Sequence, residues 1–262
     1  MRFEFVDTPQ GAHIEVMLGE PNGPLVVMHP EAFGGIRADE AFGERLTALG
    51  LSFVGMNPRG SGGSMGPKAG ITLRDMAADA IAVIERFGGP VVFIGHAGGN
   101  RVGRMVATLR PDLVRLLILL AAGGRVPPSV EVGEAAKRWR NDSLPWTERL
   151  AAAESVFLAP GNHFPPHFPW PDYSFEAADL WQAAGRATST DEWWAGGSAR
   201  TLVIQGAQDA SAPPENGHLL AKEYPERVEV VDIEGAGHFP QLEQPEAVLA
   251  AIERFLRREG VI

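Results

Sequence analysis

The chain is expected to fold as an α/β protein around a mostly parallel sheet. Three observations carry this. Short, continuous apolar runs recur along the sequence, helical patterns separate them, and the alternation lapses once, between about residues 124 and 196. A strand that is apolar on both sides is buried on both faces, which is the signature of a sheet covered by helices above and below.

The first elements are an exception. "FEFVD" and "AHIEVMLGE", joined through Thr8-Pro9-Gln10-Gly11, alternate as a half-exposed hairpin does. The continuous runs follow at 25–29 (LVVMH), 51–56 (LSFVGM), 91–95 (VVFIG), 116–122 (LLILLAA), 201–206 (TLVIQG) and 228–233 (VEVVDI). Between the second and third of these, Leu73, Met76, Ala77, Ala80, Ile81, Ile84 and Phe87 fall on one helical face, and Gly88-Gly89 ends the pattern. "QPEAVLAAIERFLRREG" closes the chain as a second amphipathic helix with basic residues in its last turn. Residues 1–124 and 197–262 therefore form the core domain. The segment 125–196, which holds all six tryptophans and the proline-rich "GNHFPPHFPWPDYSF", reads as a cap or lid between the sixth and seventh strands. Its expected place is over the C-terminal edge of the sheet, where open α/β sheets bind ligands.

Composition narrows the function. With 262 residues the chain can bury a sizeable core unaided, and without cysteine it has no disulfide, thiolate nucleophile or cysteine metal site. A net charge of −10 argues against nucleic acid or an anionic membrane as partner. The start lacks the blocks of a secretion signal, and no apolar run is long enough to cross a bilayer. A cytoplasmic protein acting on a small molecule without a cofactor is the expectation, with a homo-oligomer left open.

Four motifs bear on chemistry. Gly95-His96-Ala97-Gly98-Gly99 follows the fifth strand and opens a helix, and "NPRGSGGS" (57–64) follows an earlier strand. "QGAQDASAPP" places Asp209 just past a strand, and "EGAGHFPQLEQPEAV" places His238 past the last strand. In that order the set resembles the α/β-hydrolase superfamily, over nearly the whole chain. The resemblance implies a nucleophile elbow with position 97 at its tip, Asp209 as the acid and His238 as the base. It also implies an oxyanion hole from the Gly98 N–H and a second N–H on the loop after the third strand. The family's usual His-Gly there is His29-Pro30 in this chain, and proline cannot donate, so the second N–H is assigned to Glu31, or to Ala32 if the loop is shifted.

The main departure is Ala97, which has no atom able to attack a carbonyl. Three accounts compete: a serine enzyme with its nucleophile replaced, a native His–Asp general-base enzyme (a lyase or a cofactor-independent oxygenase), and a binding protein that uses the pocket alone. The intact acid–base pair favours an enzyme, and the leading expectation is a hydrolase of a small, largely apolar ester, lactone or activated carbonyl compound.

The remaining candidates are weaker. The Glu31 side chain could lie over the vacant nucleophile position, but a loop glutamate is expected to face water. Trp170, Tyr173, Trp193, Trp194 and Phe239 are assigned to the substrate pocket, although paired tryptophans in a cap are as readily its own core. His96 is expected to pack at the elbow. His163 and His167 are expected to pack among the aromatics and not to hold a metal, because Phe164-Pro165-Pro166 keeps them off a common helix face.

Overall fold

The computed structural model describes residues 1–170 and 173–262. Eight strands among them form one sheet: β1 (Arg2–Asp7), β2 (His13–Leu18), β3 (Leu25–His29), β4 (Ser52–Met56), β5 (Val91–His96), β6 (Val114–Leu120), β7 (Arg200–Gly206) and β8 (Val228–Ile233). Their spatial order is β1-β2-β4-β3-β5-β6-β7-β8. The hairpin strands pair antiparallel with each other and with β4, and from β4 to β8 every pairing is parallel.

The continuous apolar runs are needed because alternate residues of each strand enter opposite cores. Val27, Phe93, Leu117 and Val203 face one side, packed under α2 (Leu73–Phe87) and α3 (Gly98–Leu109). Val26, Met28, Val92, Ile94 and Ile118 face the other, under α1 (Glu40–Ala48) and the C-terminal helix α9 (Pro245–Arg258). The α2 face read from the sequence is buried at Leu73, Met76, Ala77, Ala80 and Ile84, and Thr72 with Asp75 forms its capping box. The 57–64 loop is a structural staple. Arg59 makes a two-pronged, buried ion pair with Asp79 of α2 at 2.6 and 2.8 Å, and the Ser64 hydroxyl donates to the Asn57 carbonyl.

The segment 125–196 is less irregular than its prolines suggest, since it contains α4 (Val130–Arg140), α5 (Trp146–Phe157) and α6 (Phe175–Arg186). Part of it packs into the body of the protein. Trp181, Ala184, Trp193 and Trp194 belong to the main core, continuous with α2, α3 and the sheet. Only Trp139, Phe157, Phe164, Phe168 and their aromatic neighbours form a separate cluster. Two elements complete the chain, α7 (Glu215–Glu223) and the short α8 (Pro240–Glu243).

Candidate active site

The site is built at the C-terminal ends of β3, β5, β7 and β8. At the end of β5 the chain turns through Ala97, whose φ of 48° and ψ of −107° lie outside the ordinary regions for a residue with a Cβ. Such a conformation costs on the order of 1–3 kcal/mol and persists only where its surroundings enforce it. Here they do. A Cβ at Gly95 would lie 2.5 Å from the Gly99 carbonyl oxygen, and one at Gly99 would lie 2.2 Å from the His29 carbonyl oxygen. Glycine at both positions lets β5, the first turn of α3 and the loop after β3 close on one another. The elbow is therefore formed and strained as the motif requires, with a methyl group at its tip.

The acid–base pair is also assembled. Asp209 is buried, and its Oδ1 accepts the N–H groups of Ser211 and Ala212 at 2.9 and 2.8 Å, which orients its Oδ2 to His238 Nδ1 at 2.9 Å. An ionised carboxylate only accepts, so Nδ1 carries the proton in the neutral ring and Nε2 is left as the basic nitrogen. Burial pulls the His238 pKa down. The adjacent Asp209 charge, its hydrogen bond, and the charges of Glu31 and Glu243 outweigh that, and the net shift is upward from 6.5. His96 lies behind it, buried and bonded through Nε2 to the His238 carbonyl at 2.7 Å. Desolvation takes His96 down to about 3, so it stays neutral and positions the loop instead of acting as a second base.

Glu31 departs from its expected place. Its side chain is only 4% exposed, and its two oxygens accept the N–H groups of Phe33 and Gly34, each at 2.5 Å. The departure has a local cause: the loop after β3 turns back on itself, and the carboxylate caps that turn from inside. Desolvation raises its pKa, and the turn amides, with His238, hold it partly back. A carboxylate thus stands within electrostatic reach of the base, as the sequence alone did not lead one to expect.

These groups meet in a cavity of about 320 Å³. Glu31, Ala32, Ala97, Gly98 and His238 line it together with Arg101, Trp181, Gln182 and the 126–128 segment. That volume suits a small molecule. The backbone N–H groups of Glu31, Ala32 and Gly98 have no hydrogen-bond partner among the described residues, so oxyanion donors are available on both sides of the elbow.

The aromatic residues assigned to substrate lie elsewhere. Trp193 and Trp194 are core residues, stacked against Arg104 with its guanidinium carbon 4.5 and 5.1 Å from their ring centroids. Trp170 and Tyr173 pack with Trp139 and Phe168, and Phe239 packs on His96, Phe157 and Phe164. None of the five is among the residues lining the cavity. The histidines at 163 and 167 were expected among the aromatics, but His163 is exposed and pairs with Glu154 at 3.0 Å.

Sequence reasoning missed what supports the pair. The His238 N–H donates to the Phe157 carbonyl of α5 at 2.6 Å. Glu243 accepts from Ala159, Asn162 and Gly237, tying the histidine loop to the segment after α5. The insertion thus holds the base in place as well as walling the cavity. Arg101 and Trp181 were missed as well, although both line the cavity.

A family model described as the alpha/beta hydrolase family matches residues 25–251. A Caulobacter vibrioides protein provisionally named the carbamate hydrolase RutD is 28% identical over 167 residues, which is 62% of this chain and 61% of that relative. The chain therefore aligns with less than two thirds of that relative's length. Among solved structures, an Exiguobacterium antarcticum esterase superposes with a TM-score of 0.82 at 20% identity, over 98% of this chain and all of the other. A thermophilic esterase from Thermogutta terrifontis gives 0.75 at 25% identity, over 99% of both chains. The fold is common to all of these. No helix among the described residues is long and apolar enough to cross a membrane.

Proposed function

The chain belongs to the alpha/beta hydrolase family, and from that premise we propose that it hydrolyses a small ester, lactone or activated carbonyl compound by general-base catalysis. The observation that carries this is the Asp209–His238 pair, buried and oriented at 2.9 Å, beside unpaired amides at a formed elbow. His238 Nε2 takes a proton from water, Asp209 holds the ring and offsets its charge, and the water oxygen attacks the carbonyl above Ala97. The Gly98 N–H, with that of Glu31 or Ala32, meets the oxyanion, and as the adduct collapses the bond to the leaving group breaks while His238 returns the proton to it. The segment 125–196 acts as the cap that shapes the pocket.

Magnitude restricts the substrate. Loss of the serine in a well-studied protease costs about 10⁶ in kcat and leaves roughly 10³–10⁴ over water. With alanine at the tip, the carbonyl must be activated enough for water to attack it directly. Ala97 also favours a second reading in which the same base removes a proton from the substrate itself, as in a lyase or a cofactor-independent oxygenase.

A screen of p-nitrophenyl esters against the native chain and Ala97→Ser separates the two. For a hydrolase site the native chain shows slow, His238-dependent turnover. Ala97→Ser raises it by several powers of ten, and a fluorophosphonate labels residue 97. Failure of the serine variant to gain turnover or label, with the pair intact, replaces hydrolysis by direct proton abstraction.

A further inference from the structure

The cavity is lined by a cation that has no counter-ion among the described residues. Arg101 lies one turn into α3, about 6 Å along the helix axis from Ala97, and it lines the same cavity. It has no hydrogen bond or ion pair among the described residues. It stacks on rings, with the guanidinium carbon 4.8 Å from the Trp181 centroid and 5.5 Å from that of Trp193. Desolvation alone lowers its pKa, and no carboxylate contributes to raise it. The neighbouring Arg104 adds to the excess. It is buried and bonded only to neutral oxygens of Asn100 and Gly123.

Holding a half-buried guanidinium without an anionic partner is unfavourable, and stacking on tryptophan offsets this only in part. The protein does not lack anions, since its net charge is −10. The surface arginines at 110, 125 and 258 each have a carboxylate within 3 Å. An arginine left unpaired in a cavity wall, in so acidic a chain, is matched by something that enters the cavity.

We propose that Arg101 binds a carboxylate of the substrate, so that the natural substrate is a short acid bearing an ester, amide or other activated carbonyl a few bonds away. This rests on the proposed hydrolase reading for the reacting carbonyl and revises the expectation of a largely apolar substrate. The planar fork of arginine suits a carboxylate, which it binds through paired N–H···O contacts. The Gly98 N–H, at the N-terminus of α3, lines the same cavity and has no partner among the described residues, so the cavity offers positive partial charge at the oxyanion as well as at the carboxylate. One helical turn between Arg101 and the elbow limits the spacer to the length found in half-esters or half-amides of small dicarboxylic acids.

The test is calorimetric titration with succinamate and with its neutral counterpart succinamide, using the native chain, Arg101→Gln and Arg101→Lys. The native chain prefers succinamate by about tenfold or more. Arg101→Gln abolishes the preference, and Arg101→Lys retains part of it. Equal affinities, or a preference that survives Arg101→Gln, overturn the proposal. Unliganded Arg101→Gln also melts close to the native chain, because the half-buried arginine has no ion pair to lose, whereas an arginine serving the fold would leave it clearly less stable. Binding is read without turnover. An ester screen that fails beside an Arg101-dependent titration therefore removes the hydrolase reading and leaves the carboxylate site standing.

Discussion

The sheet edge and the insertion contribute to one cavity by different physics. At the edge, three of the groups that build the site are fixed largely by contacts within a few residues, while His238 is held by distant ones. Asp209 is held by its own loop amides, Ala97 by the glycines two positions to either side, and Glu31 by the turn that it caps. In the insertion almost nothing is local. Phe157 reaches His238, Trp181 stacks on Arg101, and Trp193 and Trp194 close over Arg104. Chemistry is carried by short motifs and the shape of the pocket by long-range packing, so the two regions should respond differently to substitution.

The largest effect belongs to the edge. His238→Ala should lower turnover by about 10²–10⁴-fold. Asp209→Asn should impair the same step, and the double variant should lose little more than His238→Ala alone, because the two residues act as a unit. Additive losses in kcat would break the pair and, with it, the claim that the edge works locally.

The insertion should respond in stability. Trp194 is 1% exposed, and truncating a buried aromatic to alanine costs about 3–5 kcal/mol. Trp194→Ala should therefore lower the melting temperature sharply and leave the ranking of ester substrates unchanged. Trp181→Ala should alter that ranking, since Trp181 faces the cavity as well as the core. A changed ranking in Trp194→Ala would put the substrate deeper in the insertion than the geometry indicates.

The smallest effect is electrostatic. His238 works as the unprotonated base, so the rate should rise with pH through a pKa above the ordinary histidine value of 6.5. Glu31 is one of the charges holding that pKa up, together with Asp209 and Glu243. Glu31→Gln removes the charge and keeps an acceptor for the turn amides. The rising limb should move to lower pH, by less than it moves in Asp209→Asn. A limb that stays in place or moves to higher pH would show that Glu31 is uncharged in the working enzyme.

The same division explains what the sequence disclosed. The strands were legible because burial on both faces leaves continuous apolar runs, and the pair because aspartate and histidine sit in glycine-rich loops directly after strands. The Glu31 side chain was misplaced because a loop glutamate ordinarily faces water, and only the folded turn brings Phe33 and Gly34 to it. Arg101 and Arg104 were invisible because "GGNRVGRMVATL" looks like a helix with an exposed basic stripe. Tertiary contact with three tryptophans from the insertion buries Arg104 and sets Arg101 into the cavity wall. The aromatic residues show the complementary side. Trp170, Tyr173, Trp193, Trp194 and Phe239 have the chemistry of a binding site, and the fold packs them in the core and the aromatic cluster beside the cavity.

The central claim is that His238 delivers water at an elbow that forms no covalent intermediate. Rapid mixing of the native chain with excess p-nitrophenyl ester tests it most directly. The account predicts p-nitrophenol release that is linear from the first turnover in the native chain, and a burst approaching one equivalent per site in Ala97→Ser, where an acyl-enzyme can form. A burst in the native chain would mean that some other side chain takes the acyl group, and would contradict the account.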